Sequence, residues 1–210
     1  MSNILLIDND KMVASGLACL LAKDNCVKLA HNMDDMIHLL TKNRFQVAVL
    51  DVRMNDKEPD IHFLDALLKQ PFPVLVLTGA ATMEELMEYL RKGALGVIRK
   101  ADAPETLHHG IAALLAGNSW IPPELADALR KEVIKRRLSP RQQDILDYFF
   151  LDEIPKNSQI AKTEQISINT VRNYVSALMT ACEVKSRHLI KNKARLLGYA
   201  PSGRNITVKW

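Results

Sequence analysis

The chain has 210 residues, 48% of them hydrophobic and 25% charged, which excludes a disordered, collagen-like or coiled-coil protein and gives one large or two small globular domains. No apolar run approaches the roughly 18 residues that cross a bilayer, and the start MSNILLIDND has no basic n-region of a secretory signal, so the cytoplasm is the expected address and a membrane is not an expected partner. The net charge of +4 is unevenly spread: residues 1–120 carry 12 Lys+Arg against 15 Asp+Glu, whereas residues 121–210 carry 16 against 9, which suits a polyanion-binding C-terminal part.

Residues 3–8 (NILLID) read as a strand ending in an acid. Residues 11–23 read as a helix burying Met12, Val13, Leu17, Leu20 and Leu21, and 26–30 as a second strand. Residues 34–42 form a predicted helix with Met36, Ile37, Leu39 and Leu40 inward and Asp34 as cap or first-turn acid. The runs 46–50 (QVAVL) and 73–77 (PVLVL) are apolar at every position and stop at Asp51 and Thr78. Helices are expected at 60–69, at 82–91 with Gly93 closing it, and at 104–116, with a fifth strand at 95–98 running into Arg99 and Lys100. Strands apolar on both faces lie between helix layers, so the first half is predicted as a doubly wound α/β fold around a five-stranded parallel sheet. In such a sheet the ligand crevice lies beyond the carboxyl ends of the strands. Asp8, Asp51, Thr78 and Lys100 should therefore meet there. Two carboxylates invite a hard cation such as Mg²⁺, and the lysine and hydroxyl could neutralise and bind a phosphoryl group carried on one carboxylate.

ILLIDND, AVLDVRM, VLVLTGA and GVIRK, in that order and at those separations, make residues 3–116 resemble a response-regulator receiver domain, a flavodoxin-like fold. The resemblance implies Asp51 as phospho-acceptor, Thr78 and Lys100 as the phosphate-switch pair, and a Mg²⁺ site from Asp8, Asp51 and the backbone carbonyl near Arg53. Asn9 stands where the family has a second acid, which weakens the expected Mg²⁺ site. Val97 stands where the family has an aromatic switch residue, and the segment RMNDKEPDIHF is about two residues longer than usual.

Residues 117–138 read as a joining segment, broken by Gly117 and Pro122-Pro123, with a charged helix at 123–137 ending in Lys135, Arg136 and Arg137. Ser139-Pro140 should start a helix at 141–150, followed by a loop at 152–156, a short helix at 157–163 and a longer one at 168–181 capped by Ser167. A last helix is expected at 186–197, ended by Gly198. Short helix, turn and longer helix form a small all-α helix-turn-helix domain whose second helix would enter the major groove.

LSPRQQDIL followed by SQIAKTEQISINTVRNYVSALMTACEVKSR is similar to the LuxR/NarL-type DNA-binding domain. Pro140-Arg141, Ile160-Ala161, Thr170-Val171 and Val184 with Arg187 match, while Gln142 and Gln165 replace the family's acid and glycine. The resemblance implies Arg172, Asn173 and Ser176 as base-facing residues, Thr170 and Lys162 as backbone contacts, and Leu189, Ile190, Lys193 or Leu197 facing a second copy or the domain's own core.

The expected organisation is a receiver domain at 1–117, a linker with a helix at 118–138, a DNA-binding domain at 139–200 and a tail at 201–210. The tail could pair as a strand, cover a surface or fray, with Trp210 packed. Cys19, Cys26 and Cys182 are read as reduced apolar fillers, and the six histidines show no metal-ligand spacing. The expected function is a transcriptional regulator of a two-component system, not an enzyme. It would be switched by phosphorylation of Asp51 from a sensor histidine kinase or other phosphodonor and would bind promoter DNA as a homodimer. The alternative is a phosphorylation-independent regulator on an atypical receiver, acting as a homodimer or with a partner regulator.

Overall fold

The structure is a computed structural model that describes all residues except 54–60, 80–81, 102–103, 134–137 and 209–210. The basic run Lys135–Arg137, Trp210, Asp60 and most of the long segment after Asp51 fall outside the described residues.

Five parallel strands, β1 (Ser2–Ile7), β2 (Asn25–Ala30), β3 (Val47–Asp51), β4 (Val74–Thr78) and β5 (Gly96–Arg99), pair in the order β2-β1-β3-β4-β5. Their connecting helices are α1 (Lys11–Leu21), α2 (Met33–Lys42), α3 (Ile61–Leu67) and α4 (Met83–Lys92), and α5 (Pro104–Leu115) follows β5. Every residue of β3 and β4 is buried, as their unbroken apolar runs require for strands covered on both faces. α5 packs against β3, β4 and β5, and α3 and α4 against β3 and β5.

Chain segments cap the ends of the sheet's helices closely. Asp10 accepts from the Met12 and Val13 amides at the start of α1, and Asn32 caps α2, with Asp34 in the first turn of that helix, the second of the two places expected for it. Thr82 and Glu85 form a reciprocal capping box on α4, and Gly93 ends that helix at φ 121°, a conformation that favours glycine. Beyond α5 the chain turns back and Trp120 joins the exposed edge of β5: the Val97 amide donates to the Trp120 carbonyl at 2.9 Å and the Trp120 amide to Leu95 at 3.0 Å. Gly110 on α5 faces the Trp120 ring, where a Cβ would come within 3.1 Å of it.

Helix α6 (Pro123–Val133) packs on α4 and leads to a C-terminal helical domain. There α7 (Pro140–Asp147) runs into a 3-10 turn at Tyr148–Phe150, followed by α8 (Asn157–Glu164), α9 (Ile168–Ala181), a second 3-10 turn at Arg187–Leu189 and α10 (Ile190–Leu196). α7 and α8 both pack on α9 around Ile145, Phe149, Ile160, Val171 and Leu178. Contacts also cross between the two parts: Lys185 pairs with Asp65 at 3.3 Å, Arg195 reaches the Gly117 carbonyl at 3.4 Å, and buried Lys193 donates to the Leu90 carbonyl at the end of α4. Leu189, Ile190 and Leu197 are buried within the chain, as the expectation of a core face has it, whereas Lys193, expected with them on a second copy or in its own domain's core, reaches α4 instead. The tail covers a surface. Ser202 bonds both carboxylate oxygens of Asp147, Arg204 pairs with Glu164, and Ile206 and Val208 lean on the core.

Several side chains expected inside lie outside. Met12 is 86% exposed, because the buried stripe of α1 runs through Ala14 and Leu21 and a residue two positions back sits about 200° away. Ile37 is likewise turned about 100° from buried Met36 and is half exposed. Cys19 lies on the outer face of α1, and Cys26 occupies an outward position of edge strand β2, where side chains alternate. Both are exposed, and of the three cysteines only Cys182 is buried filler.

Candidate functional site: a charged crevice and an exposed helix face

The four residues singled out at the strand ends converge. Asp8, Asp51 and Thr78 are buried at 0%, 3% and 0% exposure, and Lys100 Nζ donates to Asp51 Oδ2 at 2.6 Å and to Asp8 Oδ2 at 3.2 Å. Strand chemistry sets these positions. Each apolar run fixes its strand in the layered core, so the first polar residue after it emerges at the carboxyl edge. The Lys100 amide donates to the Thr78 carbonyl at 2.6 Å, which carries the β4–β5 pairing one residue further and anchors the lysine over the crevice.

Backbone amides hold the two carboxylates. The Asp10 amide donates to Asp8 Oδ1 at 2.9 Å and the Arg53 amide to Asp51 Oδ1 at 3.1 Å. His31 Nδ1–H donates to the Asp8 carbonyl at 2.9 Å, tying the end of β2 to the crevice. Burial raises the pKa of Asp8, opposed by the Asp10 amide and the Lys100 charge. Burial alone would lower Lys100, but its hydrogen bond to Asp51 and the charges of Asp51 and Asp8 outweigh this and leave it above the ordinary lysine range. The crevice thus stores a fixed ammonium between two desolvated carboxylates.

Arg53 extends the site. Its guanidinium pairs with Glu85 on α4 at 3.1 Å, and Glu85 is held in its ionised form by the Thr82 amide and hydroxyl of the capping box. Asp10 uses its carboxylate to cap α1. Asn9 is exposed between the two acids. The donor set suits a hard cation. Asp8 and Asp51 supply buried carboxylate oxygens, and among the described residues no group of three or more His, Cys, Asp or Glu side chains gathers as a metal site.

The second candidate surface is α9. Ser167 caps it, and Gln165 in the left-handed region (φ 56°) makes the turn from α8. Asn169, Arg172, Asn173 and Ser176 are exposed, and Lys162 is exposed on α8. Arg172 Nη1 donates to Asn169 Oδ1 at 3.0 Å, which orients the guanidinium along the helix face. Thr170 is half-buried, its hydroxyl 2.8 Å from Ser167 Oγ. Ser176 lines a groove shared with Asp65, Arg91 and Lys92 of the sheet-containing part.

The sequence pattern of the response regulator receiver domain matches residues 4–112. The chain belongs to the response regulator receiver domain family. This receiver continues into a helical domain in the manner of full-length relatives. It is 28% identical over 200 residues to the DNA-binding transcriptional activator DevR/DosR of Mycobacterium tuberculosis, covering 89% of this chain and 91% of that one. It is 23% identical over 190 residues to the transcriptional regulatory protein DesR of Bacillus subtilis, covering 89% and 93%. Among solved structures, the response regulator RcsB in complex with DNA superposes with TM-score 0.54 at 24% identity over 90% of this chain and 96% of that one. A LuxR-family response regulator from Aurantimonas sp. gives 0.55 at 20% identity, over 64% and 99%. At these identities the two structures establish the fold. Among the described residues no helix is long and apolar enough to cross a membrane.

Sequence reading missed three participants in the receiver's geometry, His31, Glu85 and Tyr89, and set Lys193 on a dimer or core face rather than against α4. Glu85 carried a signal, three residues after Thr82 as a capping box requires. Tyr89 lies one further turn along the same face. His31 and Lys193 act through contacts 23 and 103 residues away, which no local pattern encodes.

Proposed function

We propose that this protein is a DNA-binding transcriptional regulator of a two-component system, with a receiver at 1–117, a linker at 118–138, a helix-turn-helix domain at 139–200 and a tail at 201–210. It is switched by a phosphoryl group on Asp51. The observation that carries the reading is Lys100 Nζ held between buried Asp8 and Asp51 beside the buried Thr78 hydroxyl.

In the transfer, a carboxylate oxygen of Asp51 attacks the phosphorus of the donor, a histidine kinase or a small acyl phosphate. The donor's bond to phosphorus breaks, and its electron pair leaves with the donor. Mg²⁺, when bound, neutralises the incoming phosphoryl oxygens; Asp8, Asp51 and the Arg53 carbonyl would hold it. Lys100 then exchanges a carboxylate for a phosphoryl oxygen, and the Thr78 hydroxyl donates to another. The acyl phosphate carries about two negative charges where the Asp51 carboxylate carried one, so Lys100 neutralises part of it, and Mg²⁺ when bound would neutralise the rest.

The output surface is α9. Arg172 and Asn173 carry the side-chain types that read guanine and adenine in the major groove, Ser176 a third base-facing group, and Lys162 and Thr170 phosphate contacts. Ser176 shares its groove with the receiver, so full docking on duplex requires α9 to part from α3 and α4. Binding is as a homodimer on two half-sites, and the protein is a regulator rather than an enzyme, working in the cytoplasm.

Incubation of the full chain with acetyl phosphate and Mg²⁺, read by phosphate-affinity electrophoresis, should retard the wild type and leave Asp51→Asn unshifted. Duplexes selected from a random-sequence pool should bind the phosphorylated wild type about tenfold or more tightly than Asp51→Asn. A wild type that is not retarded, yet binds duplex as well with acetyl phosphate as without it, would establish a phosphorylation-independent regulator instead.

A further inference from the structure

Among the described residues, three buried side-chain polar atoms lack a hydrogen-bond partner: Arg53 Nε, Thr78 Oγ1 and Tyr89 Oη. Buried polar groups are nearly always satisfied, so three orphans together call for a common cause. All three belong to the wall between the carboxyl ends of β3 and β4 and the inner face of α4. Arg53 and Thr78 border Asp51 directly, the first through its amide and the second as the last residue of the neighbouring strand. Tyr89 comes from α4, and its side chain is 1% exposed.

The direction of the Tyr89 ring follows from helix geometry. Residues four apart lie on one helical face, and side chains lean toward the helix N-terminus. Tyr89 therefore points back along α4 beneath Glu85, toward the Arg53–Glu85 pair and the crevice. Its phenol feels that neighbourhood: burial first, then the charges of Glu85, Arg53, Glu88 and Asp51, move its ionisation to about 12, so it is a neutral donor at any physiological pH.

The other end of Tyr89 is equally placed. Its carbonyl accepts the Ala94 amide in the C-terminal turn of α4, and the carbonyl of the next residue, Leu90, accepts from buried Lys193 of α10. One residue thus spans from the crevice to the contact with the helical domain.

We propose that Tyr89 is the positioning residue that couples the loading of Asp51 to the docking of α10, with Glu85 as its acceptor in the loaded state. The inference rests on the phosphoryl reading above. A phosphoryl group presents acceptors to Thr78 and Arg53, and the Arg53 guanidinium turns from Glu85 to the new anion. Glu85 Oε1 then loses Arg53 one helical turn from the unpartnered phenol, whose hydroxyl donates to it, while Oε2 keeps the Thr82 amide. The ring's movement toward Glu85 displaces the last turn of α4 and with it the Leu90 carbonyl that seats Lys193.

Tyr89→Phe deletes only the orphaned oxygen and keeps the ring, so the variant should fold as the wild type does. Full-length wild type, Tyr89→Phe and Asp51→Asn are treated with acetyl phosphate and Mg²⁺. They are followed by phosphate-affinity electrophoresis, by hydrogen exchange of segments 86–93 and 187–197, and by the tyrosine near-ultraviolet difference spectrum. The wild type should show about fivefold or greater loss of protection in both segments on phosphorylation, with a tyrosine red shift as the phenol gains an acceptor. Tyr89→Phe should be labelled as well as wild type, yet lack the red shift and keep 187–197 protected. Equal loss of protection in Tyr89→Phe and wild type overturns the coupling while leaving Asp51 as acceptor. So does a labelled wild type with no red shift or no change at 187–197, or a Tyr89→Phe that labels poorly, which would put the phenol in the transfer step. A wild type that is never labelled removes the phosphoryl reading itself, and this inference with it.

Discussion

Deleting the Thr78 hydroxyl would remove an oxygen that burial has stripped of water and that no described residue satisfies. An unsatisfied buried hydroxyl costs about 1–3 kcal/mol, so Thr78→Val, close in shape, should leave unfolding by urea unchanged or raise stability by about 1 kcal/mol. A loss of stability on that scale would mean the hydroxyl is bonded in the resting protein and not waiting for a ligand. The same residue was legible in the sequence, together with Asp8, Asp51 and Lys100, because Asp8, Asp51 and Thr78 directly follow or end an apolar run and Lys100 comes two residues after one. The parallel fold leaves such residues no place but the carboxyl edge. Tyr89 was not legible. In MEELMEYLRK it reads as one more apolar residue on an amphipathic helix. Only the packed structure shows that its oxygen is stranded near a carboxylate crevice. The exposed Met12 and Ile37 fail for the converse reason: hydrophobicity named them as core, but the phase of the buried stripe is set by which turn of the helix meets the sheet.

At the scale of elements, capping chemistry explains most boundaries. Ser139 with Gln142, Thr82 with Glu85, and Ser167 each satisfy amides that a helix start leaves open. Ser139 and Ser167 were identifiable from the residues that follow them. The turn between α8 and α9 is the weak joint. Gln165 sits at φ 56° with a Cβ that this region disfavours, where a glycine would be unstrained. Gln165→Gly should therefore stabilise the protein by about 1 kcal/mol, seen as a rise in the denaturant midpoint without a change in slope; a fall would show that the Gln165 side chain contributes more than the strain costs. The expected last helix at 186–197 instead begins as a 3-10 turn at Arg187–Leu189, for which Ser186 offers no side-chain cap. Arg187 is drawn into the loop before α8, donating to the Pro155 carbonyl at 2.9 Å and Asn157 Oδ1 at 3.0 Å, with its guanidinium over Phe149. A long-range anchor of that kind shapes the local backbone without leaving a local pattern.

Across the whole molecule, Lys193 is the pivot between the two parts. It is fully buried, and burial, partly opposed by the charge of Glu183, lowers its pKa to about 8 from the ordinary 10.5. When the parts separate, the ammonium regains water and titrates near 10.5 again. Between about 8 and 10.5 the parted form therefore holds more protons than the docked form, and docking strengthens as pH rises. Below about 8 both forms are protonated and the cost of burying the charge, on the order of 3 kcal/mol, is fully felt. Small-angle scattering of the full chain should show compaction as pH rises through that window. In Lys193→Met the change should vanish, since the Leu90 carbonyl retains the Gly93 amide as a donor. A wild type whose dimensions ignore pH would mean that Lys193 is not buried between the parts in solution.

The amino-acid sequence by itself determined the alternation of strand and helix, the polar residue at each strand end, the helix-turn-helix with its cap at Ser167 and the opposite charge of the two halves. All of these are written in neighbouring residues, through periodicity, capping and composition. Only the tertiary structure decided that Lys100 lies between Asp8 and Asp51, that the Tyr89 oxygen is left unpaired, that Arg204 and Ser202 of the tail bind Glu164 and Asp147, and that Lys193 closes on α4. Each of those depends on distances between residues tens of positions apart, and such distances are set by how layers pack and which polar groups they strand, which no local segment records.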